Sequence, residues 1–490
     1  MTPPLPETRT PPETRTRIVC TIGPATADAE ALRDLRAAGM TVARLNGSHN
    51  TLDWHAETIA RLRDTLPDVP ILFDIPGRKV RTAALAHEPH FAAGDTVVLT
   101  TEPDHDGREK VSLTHATLHR VLAPGTVIFA DDGTLRFTVT AIDNRDIHCR
   151  AEAAGRLRGA KGINVPSARL DRGALMDRDR RMIAFARANR VDFLGISFVS
   201  SAAQIEAVRA LIGDSWPRIV AKVESQGGLD RLDEIVADCD AVMIDRGDLS
   251  VETGLERLAL FQKRILAAAR AGAKPVIVAT EMLHSMIERP FPTKAEVSDI
   301  TNAVLDGAAA TMLSGETAIG AHPVAAVTTM RRIAEAAEAH LGASATPTGD
   351  AHSVPEAVGD AAALICRTLP ISKIVAVTIS GFAARAISCR RPRQPILAVS
   401  NDAMAARSFN ILPGTRGLHV DLPFSRDSTD HIVHCLEALW RRGALGDDDL
   451  VLVTAVGYPR SGNRMNLLQT HAIADLVATL GWKSATRRSA

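Results

Sequence analysis

Three things are scarce in this sequence, and each scarcity removes a class of function. Cysteine is sparse and scattered: 6 residues in 490, at Cys20, Cys149, Cys239, Cys366, Cys389 and Cys435, with no CxxC pair and no metal-type spacing. They read as reduced, mostly buried thiols of a cytoplasmic protein, not as a disulfide framework. Surplus charge is missing, because Lys+Arg and Asp+Glu both number 57. A balanced chain argues against a general binder of nucleic acid or of a membrane surface. Long apolar runs are missing too: none approaches the ~20 residues that span a bilayer, and the N-terminus lacks the apolar core of a signal peptide. A soluble, cytoplasmic protein with no membrane or nucleic-acid partner is therefore expected. What remains is bulk, 46% apolar residues over a length suited to about three domains.

Residues 1–16 carry PETRT twice, at 6–10 and 12–16, with prolines between. Such a polar segment buries no core and is expected to be a disordered tail. From Arg17 onward, strand-like runs (RIVCT, TVARLN, ILFDI) alternate with helical segments, the first of which stops at Gly39. The alternation breaks over 80–164, where DTVVLTT, GTVIFADDG, LRFTVTAI and DIHCRAEA predict a small β-rich insert ending in a loop around Lys161. It resumes with VDFLGISFV, RIVAKVE, DAVMID, KPVIVAT and AATMLSG. Eight β/α units with continuous apolar strands predict an eight-stranded β/α (TIM) barrel over 17–79 and 165–341, with 80–164 as an inserted all-β lid. After a polar stretch, KIVAVTI, PILAVS and LVLVTAV predict a C-terminal doubly wound α/β domain over 342–490. Thr378, Ser380 and Gly381 could form an anion-binding turn there, or a plain strand-to-helix turn.

The stretch 218–250 concentrates the chemistry. In RIVAKVE, Ile219, Ala221 and Val223 share one face, and Lys222 and Glu224 the other. Buried charges are costly unless paired or bound to an ion. The next strand, AVMID, runs straight into Arg246-Gly247-Asp248, and Gly247 lets the backbone approach a ligand closely. Glu224 and Asp248 beside Lys222 could hold a divalent metal and an anionic substrate; the alternative is an internal salt-bridge cluster. Catalytic groups of such barrels sit at the strands' C-terminal ends. Arg44, Asn46, Asp74, Lys222, Glu224, Asp248 and Thr280 all fall there.

In chain order come RIVCTIGPAT, GMTVARLNGSH, FDIPGRKVRT, DDGTLRF, KGINVPS, ISFV, AKVESQGG, RGDLSVE, VATEMLHSM, PTKAEVSDITNAVLDG and MLSGETAIG. With these motifs the sequence resembles pyruvate kinase over nearly its whole length after the tail. The resemblance implies a barrel, a mobile lid, a C-terminal α/β domain and a homotetramer. It also implies phosphoryl transfer from phosphoenolpyruvate to ADP, giving pyruvate and ATP. Glu224 and Asp248 match the family's Mg2+ (or Mn2+) ligands. Lys222 matches the lysine that stabilises the transferring phosphoryl group and the enolate, and Arg44 the phosphate-clamping arginine. Thr280 matches the threonine that positions substrate and the proton-relay water. The Gly247 and Asp248 amides would take the substrate carboxylate. Asn46, Arg81 and Lys161 match nucleotide contacts, the last two at the hinges of the lid. Asn46, Ser48, Asp74 and the Ile75 carbonyl match the monovalent-cation site.

This sequence also departs from the family pattern. Lys79 replaces a glutamate of the potassium-dependent pattern, and its ammonium is expected to stand in for K+; the alternative is a solvated loop lysine. Gly47 replaces a phenylalanine on the nucleotide side, Asp245 a small residue, and Glu281 a glutamine. Phe382 and Ala383 replace polar residues of the effector loop in sugar-phosphate-activated relatives, so that mode of activation is not expected. Two other functions compete: a non-catalytic or regulatory paralogue, and a metal-dependent barrel lyase acting on a pyruvate enolate. The first has no use for an intact Lys222 set, and the second none for Arg81 and Lys161.

Overall fold

The computed structural model describes residues 14–483 except 78, 132, 167–174, 214–215, 342–352, 426–427 and 457–464. Most of the expected tail, and most of the polar stretch that opens the expected C-terminal domain, lies outside the described residues. Thr14, Arg15 and Thr16 correct the expectation of a loose tail through residue 16. Glu338 accepts the Arg15 amide at 3.0 Å and the Thr16 amide at 2.6 Å, and the Arg15 carbonyl accepts from Gly414 N at 2.9 Å. No local pattern announces an anchor more than 300 residues away.

Eight parallel strands close into a barrel: β1 (Arg17–Thr21), β2 (Val42–Asn46), β3 (Ile71–Ile75), β4 (Phe193–Ile196), β5 (Arg218–Val223), β6 (Ala241–Asp245), β7 (Val276–Ala279) and β8 (Ala310–Leu313). Each pairs with the next, and β8 pairs with β1. Helices between them start and stop where the residues dictate. Asp28, for example, caps helix Ala29–Ala38 by accepting from Glu30 N and Ala31 N, and Gly39 ends it at φ 133°. Alternation along the strands sorts the core. Ile18, Cys20, Ala43, Leu45, Ala221 and Val223 pack toward the helices, while Val19, Val42, Leu72, Phe193, Val220 and Met243 form a second cluster inside. Toward the C-terminal ends the inward positions change from apolar to charged. Val42 is followed two residues on by Arg44, Leu72 by Asp74, Val220 by Lys222 and Met243 by Asp245. The periodicity that fills the barrel thus also delivers charge to its mouth.

The segment between β3 and β4 folds as a seven-stranded sheet around Leu99, Ile128, Phe137, Val139 and Ile147, beside a two-stranded pair. Its first and last strands, Val80–Arg81 and Gly162–Asn164, pair antiparallel with Arg81 opposite Gly162. The C-terminal sheet holds the three expected strands plus two more, Thr415–His419 and Leu467–Ala472, one at each edge. Edge strands are half exposed and need no continuous apolar run, which is why the sequence hides them. The Thr378 turn closes on itself: the Thr378 hydroxyl accepts from Gly381 N at 3.1 Å, ahead of a helix of only 7 residues. Among the described residues no helix is long and apolar enough to cross a membrane.

Candidate active site

Lys222 stands at the centre of the mouth. Its ammonium lies 3.3 Å from Glu224 Oε2 and 3.1 Å from Asp245 Oδ2, and donates to Ser197 Oγ at 3.2 Å. Burial would depress its pKa, but the carboxylates of Glu224, Asp245 and Asp74 outweigh burial and hold it well above the ordinary lysine range. Glu224 is completely buried. Burial pushes its pKa up to about 8 against the pull of Lys222, with Asp245 and Asp248 adding to the rise. Its Oε1 accepts the Phe198 amide at 2.6 Å, whereas Oε2 receives no hydrogen bond, since Lys222 meets it as an ion pair only. Asp248 is also raised, by burial against the pull of Lys79, while Asp245 is lowered because Lys222 overcomes its burial. The ligand oxygens of Glu224, Asp245 and Asp248 lie within 4.8 Å of one another. Three hard carboxylates so placed, one with a buried oxygen lacking a donor, suit Mg2+ or Mn2+.

Arg44 is fixed by Asp74. Its Nε and Nη2 both lie 2.7 Å from Asp74 Oδ2, and Nη1 donates to Thr21 Oγ1 at 3.0 Å. The other oxygen of Asp74 is buried with no hydrogen-bond partner, and it occupies the place where Gly195 has no side chain. A Cβ on Gly195 would lie 1.6 Å from Asp74 Oδ1. Gly195 and Asp74 are register partners across β3 and β4, so this contact is built into the barrel.

Lys79 reaches Asp248 Oδ1 at 2.6 Å and lies 5.9 Å from the centre of the Phe198 ring. It is therefore not a solvated loop lysine. The groups expected around a monovalent cation are partly engaged locally. Asn46 Oδ1 accepts the Ser48 amide at 3.1 Å, and the Ile75 carbonyl accepts from Ser197 Oγ at 2.8 Å. Gly47 donates to the Asp74 carbonyl at 2.8 Å and has no room for a side chain, since a Cβ would sit 2.7 Å from that oxygen.

Thr280 is strained, with φ 68°, and Glu281 follows, exposed, at φ 55°. For a β-branched residue this conformation persists only when neighbours impose it. Arg246, buried at the start of helix Arg246–Thr253, is the brace: Nη2 donates to the Thr280 carbonyl at 2.7 Å and Nη1 to Asp299 at 2.6 Å. The Gly247 amide donates to Thr280 Oγ1 at 2.9 Å, so the amide expected to take a substrate carboxylate is engaged by the threonine. At the lid, Arg81 donates to the Ala160 carbonyl at 3.0 Å and Lys161 pairs with Asp131 at 2.9 Å. Sequence reasoning quoted ISFV and RGD but missed Ser197, the Phe198 amide and Arg246 as the parts that hold the named residues.

A fold and site of this kind invite comparison with known proteins. Residues 13–327 match the family model "Pyruvate kinase, barrel domain", and residues 356–471 match "Pyruvate kinase, alpha/beta domain". The chain belongs to the pyruvate kinase family. A pyruvate kinase of Mycobacterium tuberculosis is 37% identical, covering 94% of this chain and 99% of that protein. One from Bacillus licheniformis is 35% identical, covering 96% and 83%. The crystal structure of a pyruvate kinase from Cryptosporidium parvum superposes with a TM-score of 0.86 at 29% identity, covering 94% of this chain and 96% of that one. As a pyruvate kinase family member the chain is a phosphotransferase, and its closed barrel, inserted sheet and C-terminal α/β domain match the family fold.

Proposed function

We propose that this chain transfers the phosphoryl group of phosphoenolpyruvate to ADP, giving pyruvate and ATP. The observation that carries the reading is the buried Lys222 ammonium, charged and fixed by Glu224, Asp245 and Ser197 at the barrel mouth. Phosphoryl transfer asks the protein chiefly for positioning and charge stabilisation. Lys222 meets the transferring phosphoryl group and the enolate oxygen. Arg44, held from behind by Asp74, turns its remaining N–H donors to the phosphate. Thr280 orients the substrate and the water that protonates the enolate, and the Gly247 and Asp248 backbone lies against the substrate carboxylate once Gly247 N gives up its bond to Thr280 Oγ1. Asn46, Arg81 and Lys161 take the nucleotide, and closure of the lid excludes water that would divert the transfer to hydrolysis. Mg2+ or Mn2+ held by Glu224 and Asp248 would neutralise phosphate charge and polarise the enolate oxygen. Lys79 supplies a fixed positive charge in place of a monovalent cation, so turnover needs no K+. A homotetramer in the cytoplasm completes this reading.

One coupled assay tests it: ADP and phosphoenolpyruvate with Mg2+ and a large organic cation, with and without K+. Pyruvate formation independent of K+ is expected. No turnover under any condition rejects the activity, and turnover only with K+ rejects the role of Lys79. Lys222→Met should retain divalent-cation binding and lose phosphoryl transfer; a kcat near wild type refutes the role of Lys222.

A further inference from the structure

Asp245 enters the reaction as described only by fixing Lys222. It is buried, 8% exposed, and its Oδ2 lies 3.1 Å from Lys222. Counting charges around it gives it a purpose. Arg44 pairs with Asp74, Lys79 with Asp248, and Lys222 faces Glu224 and Asp245. With Glu224 ionised, as cation binding requires, four carboxylates thus meet three cations among the described residues, and one negative charge is left over. Without Asp245 the count is three against three, with no net charge to attract a dication. Lys79 is what makes the difference, because its ammonium sits 2.6 Å from Asp248 Oδ1 and spends that carboxylate. Independently, Glu224 Oε2 is fully buried, receives no hydrogen bond and belongs to the same cluster of oxygens within 4.8 Å.

We infer that Asp245 is a third carboxylate of the divalent-cation site, compensating for the charge that Lys79 withdraws from Asp248. The inference rests on the divalent-cation reading of the site given above. Its consequence is a coupling: the two residues change cation affinity in opposite directions.

Mn2+ binding to the substrate-free protein, followed by the paramagnetic resonance of free Mn2+, tests this without any turnover. Asp245→Ala should weaken binding about tenfold or more, the scale on which partners of a metal site act. Asp245→Asn keeps the side chain's shape and should weaken it similarly, which separates charge from packing. Lys79→Met should tighten binding, and the Lys79→Met/Asp245→Asn double variant should return close to wild type. An unchanged affinity in folded Asp245→Asn, confirmed folded by circular dichroism, overturns the inference alone. Wild-type protein that takes up no Mn2+ overturns both the inference and the cation site beneath it.

Discussion

Gly195→Ala puts the architecture of the mouth to its sharpest test, because the change adds one methyl group to a residue that has no part in the proposed reaction. That methyl would sit 1.6 Å from Asp74 Oδ1 and 2.8 Å from Asp74 Cγ. Heavy atoms do not approach so closely, so the Asp74 carboxylate must leave its place. Gly195 has no need of the left-handed backbone region, so the effect is one of space and not of backbone strain. Asp74 is 2% exposed and holds Arg44 through two contacts of 2.7 Å. Displacing it costs about 1–3 kcal/mol in overpacking and releases Arg44. A misplacement of about 1 Å in a positioning group is worth about 10²-fold in rate, or roughly 2.7 kcal/mol of transition-state stabilisation. The expected result is a kcat/KM for phosphoenolpyruvate lowered about 10²-fold, with the native far-ultraviolet spectrum kept. Adding Asp74→Ala removes the clash and should restore resistance to heat inactivation without restoring activity. A Gly195→Ala enzyme within twofold of wild type in kcat/KM would refute the reasoning.

Two further changes probe positions away from the reacting atoms. Arg246→Lys keeps the charge but loses the fork that grips the Thr280 carbonyl and Asp299. With about 1–3 kcal/mol of strain at Thr280 no longer imposed, kcat should fall about tenfold; equal kcat in a steady-state assay would show that the turn holds itself. Glu296 accepts from Ser285 N and Oγ and from Thr293 N and Oγ1, at 2.6–2.9 Å, closing a capping box on helix Lys294–Asp306. Burial would raise its pKa, but these hydrogen bonds hold it below the ordinary glutamate value. A depressed folded pKa gives stabilisation that is present above the unfolded value of about 4.3 and lost as pH falls through the folded one. The stability gap between wild type and Glu296→Gln in denaturant titrations should therefore shrink between about pH 5 and 3; a gap independent of pH contradicts the assignment.

How much of this was legible in the sequence depended on whether the signal was local. The eight barrel strands were, because each is a buried apolar run, and so were Lys222, Glu224, Asp74 and Arg44, because charge ending such a run stands out. The edge strands Thr415–His419 and Leu467–Ala472 were not, since half-exposed strands carry mixed residues. Asp245 was visible only as an oddity. Its meaning lies in a distance to Lys222 and a charge count that includes Lys79, 166 positions earlier in the chain (245 − 79). Gly195 carried no sequence signal at all, because its importance is the absence of an atom where Asp74 needs room.

The same distinction explains how the mouth stays in one shape. Phe198, Thr280 and Glu281, just beyond the ends of β4 and β7, adopt φ of 55°, 68° and 55°, a region non-glycine residues rarely occupy. Each of the first two is held by a group from a different element: the Phe198 amide by Glu224 after β5, and the Thr280 carbonyl by Arg246 after β6. Glu224 therefore has two tasks, one oxygen fixing a neighbouring loop while the other, without a donor, faces Lys222 and lies in the cluster with Asp245 and Asp248. Arg246 likewise spends its charge on backbone and on Asp299, leaving Lys222, Lys79 and Arg44 as the cations of the mouth itself among the described residues. A polar layer inside a barrel is stable only if its members satisfy one another. Here that mutual satisfaction crosses from strand to strand around the ring, so the orientation of each reacting group is set by its neighbours before substrate arrives.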